Sequence, residues 1–207
     1  RQRLLEINRC AARYFYEQLN AKTPEAAQAR RYWKEKRGLS DAAIRRFGLG
    51  YAPEDFGGLL HYLRRRGFSE SELERSGLVK RSAKGNLYDI FRHRVMVPII
   101  DVRGSIIAFG GRVLDDSKPK YINSPETQVY HKSRTLFALN IAKKSTSKRY
   151  ILCEGYMDVI SMHEAGFDTA VCACGTALTA EQVKLLSEYA DEVVLSLYHT
   201  IQADALR

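Results

Sequence analysis

Leu4, Leu5, Cys10 to Ala12, Phe15 and Leu19 recur at helical spacing in a stretch free of Gly and Pro, which predicts a first helix. Thr23 stands as the cap of a second, with Pro24 at its first position and Gly38 just past Arg37. Ser40 caps a third that runs to about Phe47 and stops at Gly48. The spacing Ser69-x-x-Glu72 is a capping box, and it opens another helix before Gly77. The connections are brief, so the first 80 residues read as an all-helical lobe.

The period then changes. Val95 to Ile100 and Ser105 to Phe109 are β-branched or apolar runs on either side of a Gly104 turn, the pattern of an antiparallel hairpin. From Asp115 to Arg134 the chain is polar, with Pro119, Pro125 and several cations, and a loop of that length in a compact domain is usually functional or mobile. Lys143 to Arg149 reads as a surface connection. Beyond it, strands Tyr150–Cys153, Ala170–Ala173 and Glu192–Leu197 alternate with helices Tyr156–Ala165 and Thr179–Tyr189. That alternation predicts a parallel βαβαβ sheet with crossover helices. The fold class is therefore a helical and mixed α+β lobe, residues 1–149, followed by an α/β, Rossmann-like unit, residues 150–207.

Composition narrows the reading. An apolar content of 45 % over 207 residues is enough for a packed core, and no apolar run is long enough to span a bilayer. The chain opens Arg1-Gln2-Arg3 with neither Met nor an apolar leader, as expected of a piece of a cytoplasmic protein. Cys10, Cys153, Cys172 and Cys174 show no CxxC spacing, which argues against a disulfide scaffold and a cysteine-based zinc module. The net charge of +9 is unevenly spread. Residues 1–149 carry 31 Lys and Arg against 15 Asp and Glu, and residues 150–207 carry 2 against 9. A basic part suited to a polyanion thus precedes an acidic part suited to a cation-dependent chemistry, although two ordinary solvated surfaces give the same arithmetic.

In a parallel sheet the chemistry gathers at the carboxyl ends of the strands. Glu154-Gly155-Tyr156-Met157-Asp158 and Cys174-Gly175-Thr176-Ala177-Leu178-Thr179 fall there. Glu154 and Asp158 are four residues apart, a spacing at which two carboxylates can share a divalent cation or one can serve as acid or base. The Gly175-Thr176 turn leads to a helix start at Thr179, an expected anion site. The plain alternative makes these residues solvated ends and turns.

Taken together, the strings are more specific than their parts. ILCEGYMDVI followed by GTALT resembles the Toprim domain, in the version found in bacterial DNA primases. FRHRVMVPIIDVRGSIIAFGGRVL, PKYINSPETQVYHKSRTLFALN and YWKEKRGLSDAAIRRFGLGYAP resemble the catalytic core upstream of that domain. The resemblance covers almost all of residues 1–197, and it implies a DNA-directed RNA polymerase domain that makes short RNA primers. It implies Mg²⁺ or Mn²⁺ held by Glu154 and Asp158, which are also the expected catalytic residues. Arg37, Arg94, Arg112, Lys120 and Lys132 are the implied contacts to template and nucleotide, with Arg92, Asn123, Ser124 and His131 nearby. The implied partners are single-stranded DNA, ribonucleoside triphosphates and the RNA primer. A replicative helicase would bind the intact parent through a domain expected to be absent from this chain, as is a zinc module. No membrane is implied, and the expected location is the cytoplasm, at the replisome or nucleoid.

After Val193-Val194-Leu195-Ser196 the family pattern calls for an Asp-x-Asp pair, whereas this chain reads Leu197-Tyr198-His199-Thr200 and onward. Asp204 lies too far along to take that place, and His199 is given no role. A second reading follows: a catalytically incompetent, single-strand-binding piece of a primase. A topoisomerase or nuclease is disfavoured by the strings upstream.

Overall fold

A computed structural model of the chain describes residues 1–175 and 177–196. The hydroxyl of Thr23 accepts from the amide of Ala26, that of Ser40 from Ala43 and that of Ser69 from Glu72, so each cap stands where local chemistry put it. The helices of the first lobe follow. They are α1 (Gln2–Leu19), α2 (Pro24–Arg31) and α3 (Asp41–Arg46), then, beyond a short strand, α4 (Gly58–Arg64) and α5 (Glu70–Ser76). Glu72 closes the α5 capping box, and Gly77 ends the helix in the left-handed region at φ 69°.

The second helix does not continue as α-helix to Arg37. It widens into a π-helical turn, Tyr32–Lys36, in which both Tyr32 and Trp33 are buried. The first lobe is also not all-helical. β1 (Gly50–Ala52) pairs antiparallel with the later β4, and β2 (Val79–Arg81) pairs with β3 (Leu87–Asp89) in a separate two-stranded ribbon. Three-residue strands carry too few positions to show a period of two, which is why the sequence pattern does not reveal them.

β4 (Arg94–Ile100) and β5 (Ile106–Val113) form the expected hairpin. Inside the expected loop lies β6 (Tyr121–Asn123), which extends this first sheet to the order β1-β4-β5-β6. A single 3₁₀ turn, Lys132–Arg134, closes the polar stretch. β7 (Leu136–Phe137), α6 (Leu139–Ala142), β8 (Arg149–Cys153), α7 (Tyr156–Glu164), β9 (Ala170–Ala173), α8 (Ala180–Ser187) and β10 (Glu192–Ser196) complete the described chain. The second sheet has the order β10-β8-β9-β7, with β8 parallel to both neighbours as the alternation predicts. β7 joins it antiparallel, an addition from outside the βαβαβ unit. Leu197 and the Asp204 and His199 positions lie outside the described residues.

Among the described residues three buried clusters hold this arrangement, the smallest built on Leu136, Tyr150, Val171 and Leu186. Ile7, Ala11 and Phe15 of α1 pack with Leu63, Leu73, Met96 and Phe109 in one cluster. A second cluster runs from Trp33 and Tyr51 through Val97 and Phe137 to Val159 and Cys172, and so joins both sheets. Phe47 stacks on Phe137 with ring centres 6.0 Å apart, and Phe137 meets Tyr156 edge-on at 4.9 Å. This seam docks α7 and the ends of the second sheet beside the first. Val193 and Leu195 stay exposed on the edge strand β10. No helix among the described residues is long and apolar enough to cross a membrane.

Candidate active site

β8 delivers Glu154 to the carboxyl end of the second sheet, and Gly155 begins α7. Asp158 sits one turn into that helix, where its Oδ2 accepts from the Gly155 amide at 3.2 Å. An acidic side chain in the first turn satisfies a free amide and meets the positive end of the helix. Both carboxylates line an open cleft of about 980 Å³. Its other walls include Arg37, Lys132, Tyr121, Asn123, Cys174 and Gly175.

The two cations reach the cleft from different elements. Arg37 follows the π-helical turn, and its Nε donates to the Tyr32 hydroxyl at 2.8 Å. Lys132 opens the 3₁₀ turn. Its amide donates to Glu126 Oε1 at 2.7 Å, and its carbonyl accepts from Gln182 Nε2 at 2.8 Å. Arg37 is thus steadied through its guanidinium against Tyr32, and Lys132 through its backbone.

Three of the other cations expected to meet nucleic acid are placed differently. Arg94 is 7 % exposed and donates to the carbonyls of Gly111, Lys120 and Pro119. Arg112 is buried too, donating to the Val113 carbonyl and lying between the rings of Tyr32 and Tyr121. Lys120 is exposed on the turn before β6, outside the cleft lining. Arg92 is stacked over Phe56, His131 pairs with Glu126, and buried Ser124 accepts from the Phe109 amide. The helix start at Thr179 differs from the expected anion site. The Thr179 hydroxyl accepts from the Gln182 amide and Gln182 Oε1 accepts from the Thr179 amide, so the cap is closed by its own side chains.

The sequence reading put Tyr156 and Cys174 at the strand ends without giving either a role, and it did not single out Tyr121. Tyr156 donates from its hydroxyl to Asn123 Oδ1 at 3.1 Å, and Asn123 Nδ2 donates to the Cys174 carbonyl at 3.0 Å. Gly110 makes this approach possible, since a β-carbon there would stand 2.6 Å from the Tyr156 ring. Burial pushes the Cys174 thiol up to about 12 and the Tyr156 hydroxyl well above its ordinary value. Both stay protonated at neutral pH, which makes them packing and hydrogen-bonding groups and removes them as nucleophiles.

A mainly parallel sheet with one carboxylate at a strand end and a second in the first turn of the next helix, faced by a basic lobe, defines a Toprim-bearing class of protein. Residues 151–199 match the Toprim-like family model. Residues 14–143 match the model of the DNA primase catalytic core, N-terminal domain, and the chain belongs to that family. It is 46 % identical to the DNA primase of Clostridium acetobutylicum over 195 residues, which is 94 % of this chain and 32 % of that protein. It is 43 % identical to the DNA primase of Deinococcus radiodurans, covering 94 % of this chain and 34 % of the relative. The chain thus spans about a third of the length of these curated relatives. Among solved structures, a DnaG primase catalytic domain bound to single-stranded DNA superposes with a TM-score of 0.85 at 38 % identity. The RNA polymerase domain of the Mycobacterium tuberculosis primase, in complex with a double-stranded DNA oligomer bearing a 6-nucleotide overhang, gives 0.86 at 37 %. In both cases 94 % of this chain covers 63 % of the other.

Toprim-like primases generally use a divalent metal. Among the described residues no group of three or more His, Cys, Asp or Glu side chains gathers as a metal site. Mg²⁺ commonly takes only one or two carboxylates, with waters and substrate phosphates completing its shell. Glu154 and Asp158, sharing a cleft with two cations, fit that mode and not a closed all-protein cage.

Proposed function

We propose that this chain is the part of a DNA primase that holds single-stranded DNA and ribonucleoside triphosphate and joins ribonucleotides into a primer. The observation that carries the reading is one cleft lined by Glu154, Asp158, Arg37 and Lys132. Phosphoryl transfer needs neutralised charge on the triphosphate and an in-line hydroxyl, and these four groups supply opposite requirements of it. Arg37 and Lys132 hold phosphate oxygens. Glu154 takes the proton of the attacking 3′-hydroxyl or anchors the cation, and Asp158 supports it from the first turn of α7. Mg²⁺, or Mn²⁺ in its place, when bound by Glu154 and Asp158, supplies the neutralising charge for the leaving pyrophosphate. Lys120, on the turn beside the cleft, tracks the template backbone. In this reading the protein works in the cytoplasm, at the replisome, with a replicative helicase as partner.

In this proposal residues 1–149 form the basic subdomain and residues 150–207 the Toprim subdomain. The charge change supports the division, as does the parallel β8, β9 and β10 set, to which β7 (Leu136–Phe137) of the first part adds an antiparallel edge strand.

A second reading, a strand-binding piece without synthesis, rests on the cleft having two carboxylates, Glu154 and Asp158, among the described residues. Labelled ribonucleotide incorporation on a single-stranded template, with Mg²⁺ or Mn²⁺, separates the two. Incorporation that Glu154→Gln abolishes supports the polymerase. Salt-sensitive strand binding without incorporation supports the second reading, and neither binding nor incorporation overturns both.

A further inference from the structure

We propose that Arg94 is a positioning residue, which acts on the nucleic-acid path through Lys120 and Tyr121 without touching the strand. This rests on the strand-binding function proposed above.

The turn between β5 and β6 has few restraints of its own. Residues 115–120 are exposed, and β6 pairs with β5 over only three positions, Gly110 with Asn123, Gly111 with Ile122 and Arg112 with Tyr121. The Val113 amide donates to the Lys120 carbonyl at 3.1 Å, and the Ser117 amide donates to Asp115 Oδ1 at 2.9 Å. His93 Nε2 stands 3.9 Å from Asp115 Oδ2 at the start of the turn, and Arg94 of β4 anchors its end from beneath. Its guanidinium donates to the Pro119 carbonyl at 2.9 Å, to Lys120 at 3.3 Å and to Gly111 at 3.4 Å. One rigid fork therefore grips the end of the turn and the facing strand together, a task a lysine cannot duplicate with a single point charge.

The surrounding sequence is cut to admit it. A β-carbon on Gly111 would stand 3.1 Å from Arg94 Cδ, 2.8 Å from the Phe91 ring and 3.2 Å from the Met96 sulfur. A side chain there would crowd the Phe91 ring and press on the Arg94 stem. Lys120, whose carbonyl the anchor holds, has an exposed side chain, and the next residue, Tyr121, is 45 % exposed at the cleft. Arg94 is committed to carbonyls and buried, so a phosphate would have to displace those bonds to reach it.

The test is a double-mutant cycle read by equilibrium binding of a fluorescein-labelled oligo-dT. Arg94→Lys is compared in the wild-type background and in a Lys120→Ala, Tyr121→Ala background. The expected result is about a fivefold loss in the first and less than about 1.5-fold in the second. Equal losses in both backgrounds would overturn the proposal, because they would mean that Arg94 meets the strand by its own route. A general loss of stability lowers the melting temperature but leaves the affinity of folded molecules unchanged, so affinity is the readout. Should Arg94→Lys fail to fold, phenylglyoxal mapping of the unmutated protein decides. Arg94 unmodified with and without oligo-dT supports positioning, and modification that oligo-dT blocks overturns it. If the unmutated protein binds no oligo-dT, the strand-binding function fails separately. The phenylglyoxal arm then still reads Arg94, and modification in the folded protein sinks the anchor.

Discussion

The hydroxyl of Tyr156, at the start of α7, donates to Asn123 Oδ1 of β6 at 3.1 Å, so the helix that carries Asp158 is tied to the far edge of the other sheet. Asn123 passes the tie on to the carbonyl of Cys174 at the end of β9. The three residues thus fix the width of the cleft between the sheets.

Tyr156→Phe keeps the ring against Gly110 and removes the hydrogen bond, leaving Asn123 Oδ1 without its donor. A lost bond of this kind costs about 1 kcal/mol. Primer synthesis is expected to fall about fivefold or more while oligo-dT affinity stays within about twofold, because the strand-facing cations are untouched. Affinity falling as far as synthesis would mean that the tie shapes the strand path itself.

Lys132 lines the cleft on a backbone held at both ends, whereas Arg112 is buried between two tyrosine rings. Lys132→Ala is expected to lower the salt slope of single-strand binding by about 0.7, the share of one phosphate contact. An unchanged slope, measured by titration at several salt concentrations, would remove Lys132 from the strand path.

Gly50 lies flush against α1, and a β-carbon there would stand 2.7 Å from Phe15 Cβ and 2.8 Å from its backbone carbonyl carbon. Gly50→Ala must push the helix off β1, an overpacking cost of about 1–3 kcal/mol. Thermal unfolding is expected to show a drop of about 2–4 °C for each kcal/mol lost. No drop would mean that the α1–β1 contact gives way freely.

His163 is buried on α7, with Nε2 near the Ala170 carbonyl at 2.9 Å and Phe47 edge-on. Burial lowers its pKa most, the Ala170 hydrogen bond works against it, and the smaller effects of Arg46 and Asp168 lower and raise it in turn. The folded protein therefore binds fewer protons here than the unfolded chain once the pH falls below the ordinary imidazole value of about 6.5. Stability from this site is complete above that value and is lost as pH falls towards the lowered folded pKa. Urea unfolding at about pH 7.5 and about pH 5.5 is expected to show a larger loss for the unmutated protein than for His163→Gln. Equal losses would take His163 out of the acid response.

Much of this molecule is written locally. Thr23, Ser40 and Ser69 announce their helices because a cap is an interaction over three residues, and the hairpin and the βαβαβ alternation follow from periods of two and 3.6. The strings around Glu154 and Asp158 likewise put both carboxylates at one strand end, since a strand and its next turn are contiguous. β1, β2, β3, β6 and β7 were decided elsewhere. Each has two or three residues, too short for a period, and exists only because a partner strand offers it hydrogen bonds. The same holds for the cations. In sequence Arg37, Arg94, Arg112, Lys120 and Lys132 are five equal positive charges. The tertiary structure separates them by what lies opposite: open cleft for Arg37 and Lys132, solvent for Lys120, two tyrosine rings for Arg112, and carbonyls 17 to 26 residues away for Arg94. A side chain's partner across the fold leaves no mark on its neighbours in the chain, so only the packed molecule distinguishes a charge that meets a ligand from one that holds the frame.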